Sequence, residues 1–572
     1  MTTSTDQPPA PPLEADDPVQ LGLRPDSAIT APRVFWPAAG ILLVFVALAV
    51  ALPKRLGDTL DSLNGTIIGD LGWFYVLLVS ACIGFSLWIA FSPMGNVVLG
   101  KDDEDADFGL KTWFSMLFAA GMGIGLVFWG VAEPLNHYAS PPPGTADGDA
   151  AAARAAMDTT FLHWGLHAWG IYVVVGLAVA YAVHRKGRPV SIRWALEPIF
   201  GDRVRGRLGD VIDVIAVVGT LFGVATSLGF GVSQIGAGLA YLGVVDEAST
   251  TLKVALIIGI TAIAIVSVVS GIDKGIKWLS NINMGMAAVF LLVVAVVGPT
   301  VFILGDFVQQ LGSYLRNFFD LSFRTMTFQG DEGSTWLAGW TTFYWGWWMS
   351  WAPFVGVFIA RISRGRTVRE FVTGVLLVPT LVTFLWFSVM GGSAIYREMF
   401  GSGGLVGEDG AVSTDAALFQ LIDGLPASGL LSVVAMLLVV IFFVTSSDSG
   451  SFVVDMLASG GDPEPPVWSR VFWGVLEGVI AATLLVAGAV SGGDALGALQ
   501  TMAILLALPF SLVMIGMMVA TAKALMHENW LNQRAERRLL AAEVAGEIAR
   551  VSGTVPEPIR DDRRRKRPSS GT

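Results

Sequence analysis

"FYWGWWMSWAP", residues 343–353, gathers Phe343, Tyr344, Trp345, Trp347, Trp348 and Trp351 into a stretch otherwise apolar enough to lie in a bilayer. Trp and Tyr belong in belts at the two membrane interfaces. That rule covers Trp336 and Trp340. It does not cover Trp347, Trp348 and Trp351, which continue down the segment toward its middle. At helical spacing Tyr344, Trp348 and Trp351 share one face, and Trp347 shares a stripe with Trp351. A second set, "HWGLHAWGIY" at 163–172, supplies Trp164, Trp169 and Tyr172 at similar depth. Facing rings make a box for a cation that cannot donate hydrogen bonds. A quaternary ammonium is the natural guest, with each ring face contributing about 0.5–2 kcal/mol.

Composition places these segments in a membrane. Of 572 residues, 53% are hydrophobic and 15% charged, where soluble chains run nearer a quarter charged. Apolar runs of about 20 residues, enough to cross a bilayer, recur from end to end. About twelve spans are expected: 34–53, 71–92, 113–132, 159–183, 211–241, 251–270, 281–304, 336–361, 370–394, 428–457, 468–489 and 500–523. The single cysteine, Cys82, excludes a disulfide framework and a cysteine metal site. The polar, Pro-rich, acidic start lacks the pattern of a signal peptide and reads as a flexible cytoplasmic tail. The net charge of −11 says little about partners.

Loop charge sets the orientation. "HRKGRPVSIRW" (184–194), "ARISRGRTVRE" (360–370) and the C-terminal tail are basic. The positive-inside rule puts them, and both termini, in the cytoplasm. "GKDDEDADFG" (100–109) is acidic yet falls on the same side; acidic residues weigh little in the rule. "FVQQLGSYLRNFFDLSF" (307–323) is amphipathic and suits the outer interface plane. "NWLNQRAERRLLAAEVAGEIARV" has helical apolar spacing and leads to "RDDRRRKR". That basic end is either a contact for anionic lipids or a solvated tail that aids topology.

"FAAGMGIGLVFWGVAEP" (118–134) is the second unusual stretch. Gly121, Gly123 and Gly125 alternate inside a span, each costing about 1 kcal/mol against Ala in a helix. Packing motifs space small residues four apart; a spacing of two invites unwinding. Unwound backbone survives at membrane depth only where it is buried in protein or lines a cavity, and there it binds ligands. A nucleotide loop is excluded because no strand precedes it. In "FFVTSSDSG", Thr445 and Ser446 put hydroxyls in an apolar span. Such hydroxyls either bond back to their own helix or bind an ion. Asp448, just beyond, is an intramembrane carboxylate and a functional candidate on that ground. His163 and His167 are four apart, the spacing of metal or haem ligands. With no carboxylate or cysteine cluster beside them, they read as core or interface histidines. Glu133 is expected to meet a structural partner near the outer surface, and Asp273 and Lys274 to form an inner loop contact.

The chain resembles the betaine/choline/carnitine transporter family over nearly its full length. "AAGMGIGLVFWGVAEP", "HWGLHAWGIY", "TLFGVATSLG", "SGIDKGIKWLSNIN", "FYWGWWMSWAPFVGVFIARISRGRTVREF" and "FFVTSSDSGS" carry the likeness. The resemblance implies an all-α membrane protein with twelve spans on the leucine-transporter-like fold. Spans 3–7 and 8–12 then form two inverted five-helix repeats. The glycine and tryptophan helices would each come first in a repeat, where broken helices mark the binding site. The implied organisation is a tail at 1–32, two leading spans at 33–95, a first repeat at 96–305 and an outer amphipathic helix and loop at 306–335. A second repeat at 336–524 and a regulatory cytoplasmic segment at 525–572 complete it.

By the same resemblance, Trp164, Trp169, Tyr172, Trp347, Trp348 and Trp351 form the substrate box, and Gly121, Gly123 and Gly125 the unwound segment beside it. Choline carriers of the family tend to have Asp where this chain has Gly125. Glycine there suits a zwitterion, whose own carboxylate an added one would repel. The main sodium site would comprise backbone oxygens of Ala119, Met122 and Phe442 with the hydroxyls of Thr445 and Ser446. Thr220 and Phe354 match a second sodium site, but Val224 replaces its other threonine, so that site is absent, weakened, or rebuilt with Thr226 or Ser227. The implied protein is no enzyme and uses no cofactor beyond sodium as coupling ion. It is a homotrimer in the cell membrane that takes up a betaine-type solute by sodium symport under osmotic stress, with no nucleic-acid partner. The alternatives are a sodium-independent or proton-coupled carrier of choline, carnitine or another quaternary ammonium or sulfonium compound, and, from another class, a membrane enzyme or haem protein using the two histidines.

Overall fold

The computed structural model of the chain describes residues 31–121, 123–270, 273–490 and 495–552, with the backbone alone at 118–121, 270, 273–279, 495, 496, 549 and 552. Helices α1 (Pro32–Ala51) and α2 (Pro53–Phe91) each open on a proline, whose missing N–H falls where a helix offers no acceptor. The glycine stretch divides into α3 (Leu110–Gly121) and α4 (Ile124–Ala139), with Gly123 extended between them. The next expected span divides too, into α5 (Asp149–Trp164) and α6 (Leu166–Ala180). Its break is Gly165, where an added Cβ would sit 2.4 Å from the Phe161 carbonyl and 2.7 Å from the Phe384 ring.

A short α7 (Glu197–Phe200) precedes α8 (Arg207–Tyr241), α9 (Thr250–Ser270) and α10 (Asp273–Val297). The span expected at 281–304 ends earlier, at Val297, because Gly298 and Pro299 interrupt it. The amphipathic segment is longer than its pattern, running as α11 (Thr300–Ser322). The tryptophan segment comprises α12 (Gly330–Leu337), a π-helical turn at Ala338–Thr342, and α13 (Phe343–Arg361). Then come α14 (Val368–Phe400), α15 (Ala417–Asp423), α16 (Ser428–Ala458), α17 (Val467–Val490) and α18 (Ala495–Ser552). Thr367 and Glu370 form a reciprocal capping box that starts α14. Helix α18 runs without a break through position 525.

Among the described residues no β-strand forms, and ten helical segments are long and apolar enough to cross a membrane. The expected spans at 113–132 and 336–361 are not among the ten. The first is cut into helices of 12 and 16 residues. The second is interrupted by the π turn and rich in Trp and Tyr, which weigh less than aliphatic residues in hydropathy. These two interrupted segments are the ones that carry the unusual sequence. Ile258, Val266, Val289 and Leu292 on α9 and α10 are each at least 60% exposed, as lipid-facing residues are. By contrast α13 is buried nearly all round, packed against α6, α8 and α18.

The acidic loop is held beside the basic ones. Asp102 accepts from Arg185 at 2.5 Å, and Glu104 pairs with Arg364. Val98 bridges to Thr367. Glu528 of α18 reaches the same end, accepting from Tyr181 at 3.0 Å, Arg185 at 3.1 Å and Lys186 at 2.5 Å. Loops 100–109, 184–194 and 360–370 therefore share one end of the bundle with the far part of α18.

Candidate functional site

The site lies where the interrupted helices meet. A small cavity of about 40 Å³ is lined by Gly123, Gly125 and Leu126 of the glycine segment, Trp164, Ala168, Trp169 and Tyr172 of α5 and α6, and Trp347, Trp348 and Trp351 of α13. Ser227 of α8 and Thr383 of α14 complete it. Every predicted box ring is thus on the lining, together with Gly123 and Gly125. Gly121 contributes helical backbone at the end of α3, and nothing of its surroundings is described.

The rings pack at set angles. Trp347 and Trp348 stack at 4.6 Å and 15°. Trp164 meets Trp348 edge-on at 4.8 Å and Trp347 at 6.1 Å. Trp169 and Tyr172 are 5.4 Å apart, and Tyr172 lies 6.4 Å from Trp348. An added Cβ on Gly125 would sit 2.5 Å from the Trp347 ring and 3.1 Å from the Trp164 ring. Glycine is therefore required here by close approach. Among the described residues the lining carries no formal charge. The lining offers ring faces, and the buried indole N–H groups of Trp347 and Trp351 have no partner.

Behind the box stands Glu133, wholly buried near the end of α4. One carboxylate oxygen accepts from Trp164 Nε1 at 2.6 Å and from the Tyr344 hydroxyl. The other lies 2.7 Å from His163 Nδ1, whose Nε2 lies 3.0 Å from Thr341 Oγ1. Trp348 Nε1 donates to the His163 carbonyl at 2.8 Å, and Thr383 Oγ1 to the Trp164 carbonyl at 3.1 Å. Glu133 thereby fixes rings from two helices at once. The sequence reading gave it a structural partner; it has three, Trp164 on the lining and Tyr344 and His163 beside it. The signal was the carboxylate's position within a membrane helix, which marks function by default.

The two histidines do not act together. His167 Nε2 lies 3.0 Å from Ser322 Oγ, and its ring stacks on Trp345, while His163 belongs to the Glu133 network. This places both in the core.

The hydroxyl pair lies on α16. Thr445 Oγ1 donates to the Ile441 carbonyl at 2.8 Å and lies 3.3 Å from the Phe442 carbonyl. Back-bonding uses the proton and leaves both lone pairs to an ion, so the two readings of this hydroxyl are compatible. Ser446 is half-buried beside it and Phe442 is buried. Of the other expected ligands, Met122 lies outside the described residues, and Ala119 is described only as helical backbone. Asp448 is half-buried, and of Asp273 and Lys274 only the helical backbone of α10 is described.

For the second ion site, Thr220 Oγ1 is wholly buried without a partner. Phe354 is half-buried and packs on Trp351 at 5.4 Å. Val224 methyls lie 3.2 Å from where a Cβ on Gly450 would be. Thr226 Oγ1 donates to the Phe222 carbonyl at 2.9 Å and lies 3.3 Å from the Leu499 carbonyl, and Ser227 lines the cavity.

The sequence profile of the betaine/carnitine/choline family transporters matches residues 33–530. An uncharacterized transporter of Mycobacterium tuberculosis (strain ATCC 25618 / H37Rv) is 52% identical over 499 residues, 86% of this chain and 82% of the relative. The glycine betaine transporter OpuD of Bacillus subtilis (strain 168) is 45% identical over 504 residues, 88% of this chain and 96% of its own. Glycine betaine transporter 1 of Vibrio parahaemolyticus is 44% identical over 491 residues, 85% and 92% of the two chains. The chain belongs to the betaine/carnitine/choline transporter family.

Proposed function

We propose that this protein takes up a betaine-type zwitterion, of which glycine betaine is the type, by sodium symport and alternating access. The observation that carries the reading is the charge-free aromatic box closed by Gly125. The trimethylammonium end lies against ring faces, where a cation that holds its water weakly gains most. The carboxylate end takes the unpartnered indole N–H groups. At about 40 Å³ the cavity admits only a few waters, each needing roughly 10–15 Å³ on the same measure. A betaine therefore enters as the rings of α6 and α13 part, which is a step of alternating access. We read the interrupted segments as the third and eighth of twelve spans, each leading one of two inverted repeats. Both termini are taken as cytoplasmic, the assembly as a trimer, and the physiological setting as osmotic stress.

Removing one wall tests the box. Trp348→Ala or Trp351→Ala is expected to weaken betaine binding by on the order of 1–3 kcal/mol, read by titration of intrinsic fluorescence. Normal affinity in both variants would reduce the rings to packing.

Sodium coupling is tested by uptake of labelled glycine betaine into proteoliposomes, with an inward sodium gradient and then with potassium in its place. Sodium-dependent accumulation is expected. In the doubly substituted Thr445→Val, Ser446→Ala protein, uptake should fall to the potassium level. Equal uptake by the unaltered protein in both salts would retire sodium coupling in favour of exchange or protons.

The far part of α18 is the proposed regulatory segment. Deleting residues after about 525 removes Glu528 and its bonds to Tyr181, Arg185 and Lys186. Transport should persist and lose its activation by osmotic stress. Osmotic activation that survives the deletion would contradict the assignment.

A further inference from the structure

We propose that Glu133, His137 and His163 form a binding site for a divalent transition metal of the zinc class, set behind the aromatic box. The proposal does not rest on the substrate reading. Glu133 and His137 are four residues apart on one face of α4, and His163 lies in the last turn of α5. All three side chains are wholly buried. One donor atom from each lies within 4.8 Å of the others. Glu133 Oε1 is 2.7 Å from His163 Nδ1 and 3.6 Å from His137 Nε2. These spacings bracket the edge of roughly 3.3 Å expected between ligands around a tetrahedral ion with bonds of about 2.0–2.1 Å.

The donor set is two imidazoles and a carboxylate. Three protein ligands with a fourth position open is a recurrent zinc arrangement. Nitrogen donors select zinc, cobalt or nickel over calcium or magnesium, which take oxygen. The supporting contacts exist as well. With Nδ1 on the metal, His163 would turn its Nε2–H to Thr341 Oγ1, the kind of outer bond that fixes a ligating ring. Glu133 keeps its other oxygen on Trp164 and Tyr344.

His137 supplies the independent observation. Hydrogen bonding within the network accounts for Glu133 and His163, yet neither ring nitrogen of His137 has a hydrogen-bond partner. A buried polar group in that state is unfavourable, and an ion on Nε2, the nitrogen facing Glu133, would give that atom a partner. The His137 ring lies 4.3 Å from Trp340 and 5.6 Å from Trp336. Both indoles are half-buried, so the site is one layer of side chains from the surface. Arg324 lies over the Trp336 ring and repels a second cation. This again favours a metal with strong nitrogen bonds over a weakly held one.

The test uses tag-free, full-length protein in detergent, stripped with chelator and titrated with Zn²⁺ or Co²⁺. A single equivalent per chain is expected, with the intense visible absorption of four-coordinate cobalt. His137→Asn should lose both signals. His167→Asn, which alters the neighbouring buried histidine outside the set, should keep them. Absence of stoichiometric binding, or binding that survives His137→Asn, overturns the proposal. If His137→Asn fails to fold, X-ray absorption at the zinc edge of the unaltered protein decides. Two imidazoles and a carboxylate are expected, and a shell without imidazole overturns the assignment.

Discussion

Gly125→Leu is expected to abolish betaine uptake while the protein still folds and inserts. The first added carbon would stand 2.5 Å from Trp347 and 3.1 Å from Trp164, and neither ring is free to retreat. Trp347 is stacked between Phe343 at 5.6 Å and Trp348 at 4.6 Å, with Phe230 edge-on at 5.1 Å. Trp164 is tied by its N–H to Glu133. Crowding of this kind costs about 1–3 kcal/mol. Gly125→Ala alone should therefore weaken betaine roughly 5–150-fold, and the leucine side chain would occupy the cavity itself. Uptake by Gly125→Leu within a few-fold of the unaltered protein would mean that the substrate lies elsewhere.

Glu133→Ala should be the most damaging single change away from the lining. It leaves the Trp164 N–H, the Tyr344 O–H and His163 Nδ1 buried without their acceptor. Each orphaned group costs about 1–3 kcal/mol. The variant is expected to melt at lower temperature and to lose betaine binding, because two rings lose their anchor together. Glu133→Gln keeps one acceptor oxygen and should be intermediate in both measures. A variant lacking the carboxylate with unchanged betaine affinity would separate Glu133 from the box.

The contrast between these two residues explains what the sequence made legible. Gly125 could be singled out because its signal is local: glycines two apart inside a membrane span conflict with helix packing, wherever the rest of the chain goes. The tryptophans on α13 stood out for the same reason, being too deep for an interface belt. Glu133 could not be placed that way. Its partners come from 30, 31 and 211 positions away in the chain, and no periodicity links them. Gly165 also escaped notice, since one glycine in a span is ordinary until Phe161 and Phe384 are seen beside it. The acidic loop at 100–109 looked misplaced among basic loops until Arg185 and Arg364 proved to be its partners.

Recognition of a positive charge by ring faces is the centre of this account, and one competition measures it. Glycine betaine and its carbon isostere 3,3-dimethylbutyrate share shape and carboxylate but differ in the charge at the centre of the methyl cluster. Both would be titrated against purified protein in sodium buffer. With several ring faces contributing about 0.5–2 kcal/mol each, betaine should bind at least roughly 10-fold more tightly. Equal affinity for the two would contradict cation recognition and leave the tryptophans as an apolar pocket selecting shape alone.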